Sequence, residues 1–338
     1  MEKILTIIIP SYNTAEYIDK NIKTMFDERL FDDVEIMMIN DGSKDDTSTI
    51  AHKYESLYPQ CVKVVDKENG GHGSVINTGV SLAKGKYLKI IDGDDWVDTN
   101  ALYKLVQFLK KTDADIVFNP YISHGEKSGS ETLNARMDVA PETLFPISEL
   151  ISKGLNPQIH TITVKKDIWL LNNIRVTEKC FYEDFQYANY PIPFVKQAAY
   201  LDFPVYYYLT EQKTQSVSDS STYKNLSMFV KVYRDANDFF KGVVIKNCII
   251  ANFVEKQLIT FLRQTYNVFL RNVHQEGIIE NFKTIDAEIK EINADRYRKL
   301  AEKYFYIRQM QKYKKSVFYC MSILFKVYKK YEFFKLRG

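Results

Sequence analysis

Two acidic clusters, Asp92-Gly93-Asp94-Asp95 and Glu183-Asp184, are the residues of this chain best suited to chemistry. Carboxylates this close repel one another. They stay ionised together only beside water, hydrogen-bond donors or a cation, and a hard divalent metal with oxygen ligands meets that need. Asp-Gly-Asp-Asp follows the apolar run Tyr87-Leu88-Lys89-Ile90-Ile91, which reads as a buried strand. Acidic side chains at the C-terminal end of such a strand lie where open α/β sheets bind ligands. Gly93 allows a tight turn between the arms of the Asp-x-Asp. The plainer reading is an acidic turn with a solvated face. Glu183-Asp184 sits between Phe181-Tyr182 and Phe185, and apolar neighbours raise a carboxylate's pKa toward that of a useful general base. Its plainer reading is an acidic pair favoured by a helix N-terminus.

The elements that must position these groups alternate. Strands are expected over residues 3–9, 33–39 and 61–65, followed by the polar loops Pro10-Ser11-Tyr12-Asn13, Asn40-Asp41-Gly42-Ser43 and Asn69-Gly70-Gly71-His72-Gly73. Pro10 is expected to end pairing of the first strand. Helices are expected over 15–26 with Asn13 or Thr14 as cap, over 47–58 capped by Ser43, Asp45 or Thr47, and over 74–83. This order predicts an α/β fold: a Rossmann-like, mostly parallel sheet flanked by helices, with the loops gathered at one edge. A helix over 102–110 and a strand over 114–119 continue it. Residues 123–142 read as a polar excursion loop, and 159–164 and 199–209 as strands. His160 opens the first of these two strands, either facing the site or as a satisfied strand histidine. From Tyr223 onward the chain lacks proline and reads as a helical C-terminal region.

Composition narrows the classes. Net charge is +3, so no overall field argues for nucleic acid. The four cysteines are far apart, which excludes Cys-x-x-Cys metal or redox spacing and a disulfide framework. A reduced, cytoplasmic setting is expected. No apolar run approaches the roughly 20 residues of a membrane span. The tail 314–338 interleaves seven Lys and Arg with large apolar residues against Glu332 alone. It suits a peripheral membrane contact on the inner face of the cell membrane and, equally, a helix of a bundle with solvated lysines.

The motifs in order, Ile8-Ile9-Pro10-Ser11-Tyr12-Asn13, Asn40-Asp41-Gly42-Ser43, Asn69 with Gly73 and Asn77, Asp92-Gly93-Asp94-Asp95 and Glu183-Asp184, resemble the family 2 inverting glycosyltransferases of GT-A fold, of bacterial surface-polysaccharide type. The resemblance covers residues 1 to about 218. It implies a donor site lined by Pro10, Tyr12, Asn13, Asp41, Asn69, Gly73, Asn77, Asp92 and Gly93, with Asp41 at the uracil edge. It places Mn2+ or Mg2+ on Asp94 with Asp92 in support, Asp95 and His160 on the acceptor side, Asp184 as base and Glu183 as its orienting partner. Related chains carry Ala-Arg-Asn where this one has Val75-Ile76-Asn77, so the usual basic contact is missing. His72, Lys213 and Ser216 are assigned as phosphate contacts, with polar loop positions as the alternative.

The resemblance implies a GT-A domain over 1–222, with a donor part to about 120 and an acceptor part from about 121, and a helical region over 223–338. Its expected partners are a UDP-sugar donor and a glycan or lipid-linked glycan acceptor, with a homo-oligomer through the C-terminal helices also open. Two other readings compete. A sugar nucleotidyltransferase would want a glycine- and Arg/Lys-rich loop after the first strand, which Pro10-Ser11-Tyr12-Asn13 is not. A non-catalytic sugar-nucleotide or glycan-binding module would not need Asp92, Asp94 and Asp184 intact.

Overall fold

The computed structural model describes residues 3–211, 219–273 and 275–313. Its contacts divide the chain into two units. The first holds the described residues up to 211 together with Ile245–Ala251; the second holds the remaining described residues from 219 to 313.

In the first unit the strands are β1 (Lys3–Ser11), β2 (Val34–Asn40), β3 (Val62–Asp66), β4 (Gly85–Ile90), β5 (Trp96–Val97), β6 (Ile116–Phe118), β7 (Tyr121–Gly125), β8 (Glu131–Asn134), β9 (Leu144–Pro146), β10 (Ile162–Lys165), β11 (Gln197–Tyr200) and β12 (Tyr206–Thr210). The helices are α1 (Ile18–Met25), α2 (Thr47–Leu57), α3 (His72–Leu82), α4 (Thr99–Leu109), α5 (Ile147–Ser152), α6 (Lys166–Leu171) and α7 (Asp184–Asn189). Eight strands form one sheet in the order β3-β2-β1-β4-β10-β6-β11-β9, and four form a second, β5-β12-β7-β8. The β3-β2-β1-β4 half is parallel throughout, while β10 runs antiparallel to both β4 and β6. Every residue of β2 and the last seven of β1 are buried. That is the pattern of parallel strands covered on both faces. Helix α4 shows how the cover is made: Ala101, Leu102, Leu105, Val106 and Leu109 recur at helical spacing and are buried, and the Asp98 side chain accepts from the Ala101 N–H at 2.7 Å to cap its start.

Several local expectations are corrected. Pro10 lies inside β1, paired in register with Ile39, because its missing N–H costs nothing where its carbonyl is the group in use: it accepts from Gly93 N–H. Helix α1 starts at Ile18 without a side-chain cap; Asn13 accepts from Lys44 N–H instead. The expected loop 123–142 contains the β7–β8 hairpin. The expected strand 199–209 is two strands in different sheets, split by residues 201–205. His160 lies in a single 3-10 turn, Ile159–Thr161, ahead of β10. Helix α3 begins at His72, which makes His72 a helix residue and not a loop one.

The second unit is helical: α8 (Asp219–Lys224), α9 (Leu226–Gly242), most of α10 (Cys248–Arg271), α11 (Ile278–Ile292), α12 (Ala294–Lys303) and α13 (Phe305–Tyr313). Its interior holds a buried charge, Arg296. The guanidinium donates to Glu255 Oε2 at 3.0 and 2.9 Å, to Tyr233 Oη at 3.1 Å and to Asn237 Oδ1 at 2.9 Å. Full pairing is what makes such a group tolerable inside a bundle. Among the described residues, no helix is long and apolar enough to cross a membrane. The basic tail 314–338 lies outside the described residues.

Candidate active site

The loops after β1, β2, β3 and β4 meet at one edge of the large sheet. Asn21 of α1 fixes the acidic turn by donating to the carbonyls of Asp92 and Asp95, both at 2.9 Å. Gly93 has a steric reason: a Cβ there would stand 2.8 Å from Pro10 O.

His72 sits between the two acidic clusters. Its Nε2 is 3.0 Å from Asp92 Oδ1, its Nδ1 is 2.6 Å from Glu183 Oε1, and Asp184 Oδ1 lies 3.7 Å from the same Nδ1. Burial opposes a charge on the ring, but the hydrogen bonds to Asp92 and Glu183 outweigh it and hold the His72 pKa well above its ordinary value. The ring is therefore an imidazolium donating at both nitrogens. In return, the His72 bond and charge hold Asp92 below the usual carboxylate range against the effect of burial. Asp184 is pushed up to about 7 by desolvation and by the Glu183 and Asp92 charges, with His72 opposing. Its side chain keeps 56% exposure, so solvent screening moderates that rise. Glu183 is buried, and its Oε2 has no hydrogen-bond partner. The backbone ahead of it is strained: Lys179 and Tyr182 adopt φ of 53° and 75°, a conformation non-glycine residues rarely take.

Asp95, expected on the acceptor side, is buried beneath the turn. Its Oδ1 accepts from Leu209 N–H at 2.7 Å and its Oδ2 from Tyr206 Oη at 2.5 Å. Burial and the Asp94 and Asp92 charges push its carboxyl well above the ordinary range. His160, the other acceptor-side expectation, packs its ring on Tyr121, Tyr206 and Tyr208 at 4.8, 4.7 and 4.5 Å between centroids. Its Nδ1 is buried without a partner, and burial drives its pKa down to about 4, so the ring is neutral. Asp94 is half-buried beside this group.

The donor-side expectations fall into two sets. Asp41 is buried and organises the loop after β3: its carboxylate accepts from Gly70 and Gly71 N–H at 2.9 and 2.8 Å and from Lys67 Nζ at 2.7 Å, while Asn69 donates to its carbonyl at 2.9 Å. Asn13 ties the first loop to the second through Ser43 and Lys44, and Tyr12 is half exposed at the rim. Asn77 and Gly73 serve packing: the Asn77 amide bonds Val176 O, Val176 N and Glu178 Oε1, and a Cβ on Gly73 would lie 2.1 Å from Thr177 O. These contacts bring the segment carrying Glu183 and Asp184 against α3. Lys213 and Ser216 lie outside the described residues.

Sequence reading missed Lys67, Tyr206, Tyr208 and Lys89. Lys89 is fully buried in β4, donates to His160 O at 3.0 Å, and is pushed down to about 7 by burial alone. Its place inside an apolar run was a usable signal. Nothing in the run Tyr206-Tyr207-Tyr208 foretold that its first hydroxyl would bridge to Asp92 and Asp95.

The donor set suits a divalent cation. One ligating atom from each of Asp92, Asp95 and His160 lies within 4.8 Å of the others; His72, Glu183 and Asp184 are as close together, but the protonated His72 ring has no lone pair to give an ion. The unpartnered His160 Nδ1 and the charge crowding on Asp95 are both features a cation would relieve.

Residues 6–166 match the profile described as glycosyl transferase family 2, a span that includes Asp92 to Asp95 and stops short of Glu183. The chain is 27% identical over 191 residues to the glycosyltransferase GlyG of Streptococcus pneumoniae, covering 56% of this chain and 61% of that protein. It is 26% identical over 226 residues to the minor teichoic acid biosynthesis protein GgaB of Bacillus subtilis, covering 64% of this chain and 24% of that one. In both cases the match spans under two thirds of the relative. Residues 1–349 of S. aureus TarS, crystallised with UDP-GlcNAc, share the fold with a TM-score of 0.63 at 18% identity, over 89% of this chain and 91% of that one. A mannosyltransferase of Pyrobaculum calidifontis, PcManGT, in complex with GDP-Man and Mn2+ aligns with a TM-score of 0.51 at 14% identity, over 94% and 89%.

Proposed function

We propose that the chain, whose residues 6–166 match the glycosyl transferase family 2 profile, is a member of that family and moves a hexosyl or N-acetylhexosaminyl group from a UDP-sugar to a hydroxyl of a glycan or lipid-linked glycan, with inversion and with a divalent cation. Surface-polysaccharide assembly is the setting, as the teichoic acid relative suggests, and peripheral attachment at the inner membrane face is part of the same reading.

The observation that carries it is the His72 bridge. It joins the acidic turn after β4 to Glu183 and leaves Asp184, the residue beside Glu183, half exposed with a raised pKa. An inverting transfer needs one base on the open side of the site and a place for the leaving diphosphate on the other. Asp184 takes the proton of the acceptor hydroxyl as its oxygen bonds to the anomeric carbon. The anomeric C–O bond opposite breaks, and UDP departs with the electron pair. Glu183 and His72 hold Asp184 in place and fix the protonation state of their neighbours. Asp41 and the 69–71 loop shape the nucleoside end, with Tyr12 over the base. Asp92 and Asp94, with Asp95 and His160 beside them, would hold Mn2+ or Mg2+, which would supply positive charge for the diphosphate. Residues to about 120 make the donor part of a domain reaching 222, and 121–222 the acceptor part.

UDP release from a panel of UDP-sugars, with Mn2+ and then with EDTA, tests the reading. Release with at least one donor and its loss on chelation are expected. Release that ignores EDTA would remove the metal from the scheme, and no release or binding of any UDP-sugar would remove the donor.

A further inference from the structure

The first unit contains a recess of about 140 Å³ that the transfer scheme leaves unused. It opens at the same sheet edge as the acidic turn, because β6, which ends in it, runs parallel to β4 through their common antiparallel partner β10. Phe118, Asn119, Arg136, Leu155, Asn156 and Thr161 are among its walls. Thr161 follows His160, whose ring packs against the tyrosines over Asp92 and Asp95. The recess thus begins one residue beyond His160, at the sheet edge that also carries the acidic turn.

Its polar groups are complementary to a particular chemistry. Asn119 is 1% exposed; its Nδ2 donates to Phe203 O at 3.2 Å, but its Oδ1 is buried without a partner. A buried acceptor of this kind calls for a hydroxyl donor. Arg136 is exposed at the mouth and forms no ion pair among the described residues. A guanidinium in that position presents a fork suited to phosphate or carboxylate oxygens. Phe118 and Leu155 offer apolar surface to the C–H groups of a polyol or sugar. The volume is roughly ten times what one water needs, enough for a small ligand fragment.

We propose that this recess is an acceptor subsite for a hydroxyl-rich unit carrying a negative charge, so that the acceptor is an anionic glycan or polyol polymer and not a neutral one. The proposal rests on the transferase reading above and deepens it. In this subsite Asn119 Oδ1 would accept a hydrogen bond from a hydroxyl of the ligand, and Arg136 would hold the anion of the same or the next unit.

Isothermal titration of the full chain with glycerol 3-phosphate, D-glucuronate and glycerol tests it. Wild type should bind at least one of the two anions more tightly than glycerol; which one distinguishes a phosphate-bearing acceptor from a uronic-acid one. Arg136→Gln should weaken that anion by about tenfold or more, the scale for losing a charged hydrogen bond, and Arg136→Lys should recover part of it because the charge returns without the fork. Neither anion binding better than glycerol, or Arg136→Gln binding as wild type does, overturns the subsite. UDP titrated into the same wild-type samples reads the donor site separately. Anion binding without UDP binding overturns the donor reading alone, and UDP binding without anion binding overturns this inference alone.

Discussion

His72→Ala isolates the central electrostatic arrangement. The substitution removes the cation from between Asp92 and Glu183, whose side chains are 27% and 3% exposed, while His72 itself is 24% exposed. Removing one partner of a buried ion pair costs about 3–5 kcal/mol because the other charge is stranded. With a quarter of His72 and Asp92 reaching water, the low end, about 3 kcal/mol, applies here. For a unit of this size each kcal/mol moves the melting temperature by about 2–4 °C, so a fall of about 6–12 °C is expected. The pH dependence gives a second reading. The folded pKa of His72 is raised, so its contribution is complete below the unfolded value of about 6.5 and is lost as pH rises through the folded value. Asp92 is depressed, so its contribution is present above about 3.9 and is lost as pH falls through its lower folded value. Calorimetric melts in metal-free buffer should therefore show the widest gap between wild type and variant near pH 6 and a narrower one at pH 9. A shift under about 2 °C at pH 6, or the same shift at both pH values, refutes the imidazolium bridge.

Asp184→Asn keeps the shape and removes proton acceptance, so turnover should fall on the order of 10² or more while UDP affinity, read by titration, stays as in wild type. Wild-type turnover should also climb as pH rises toward about 7, where the Asp184 carboxyl loses its proton; a variant with near-normal turnover assigns the base elsewhere. Gly73→Ala drives a methyl against Thr177 O, 2.1 Å from the ideal Cβ, and should cost about 1–3 kcal/mol in a thermal or urea melt; an unchanged melt would mean that the segment around Thr177 yields freely.

The parallel half of the sheet was legible because its strands are short, apolar and separated by helices of ordinary length, and β1, β2 and β4 are buried almost throughout. The acidic motifs were legible as residue types. Their partners were not. Glu183 reaches His72 across 111 positions and Tyr206 reaches Asp95 across the same number, and no local pattern encodes a contact of that span. Asn77 shows the opposite failure. The resemblance put it at the donor, yet its amide bonds Val176 and Glu178. The resemblance put Asp95 on the acceptor side; in the turn held by Asn21 its carboxylate points inward to Leu209 N–H and Tyr206. The strand break at 201–205 did carry a signal, since Asp202 and Pro204 interrupt the apolar run and proline cannot continue a ladder.

The 111-residue gap between His72 and Glu183 also sets an order on biosynthesis. At ribosomal rates of about 5–20 residues per second, a separation of 111 residues corresponds to roughly 5–20 s of elongation. During that interval β1 to β4 and α3 have left the peptidyl transferase centre, while the residue that completes the His72 pair has not been made. The nascent N-terminal half must wait with Gly73 and Asn77 facing water where Thr177, Val176 and Glu178 will later stand.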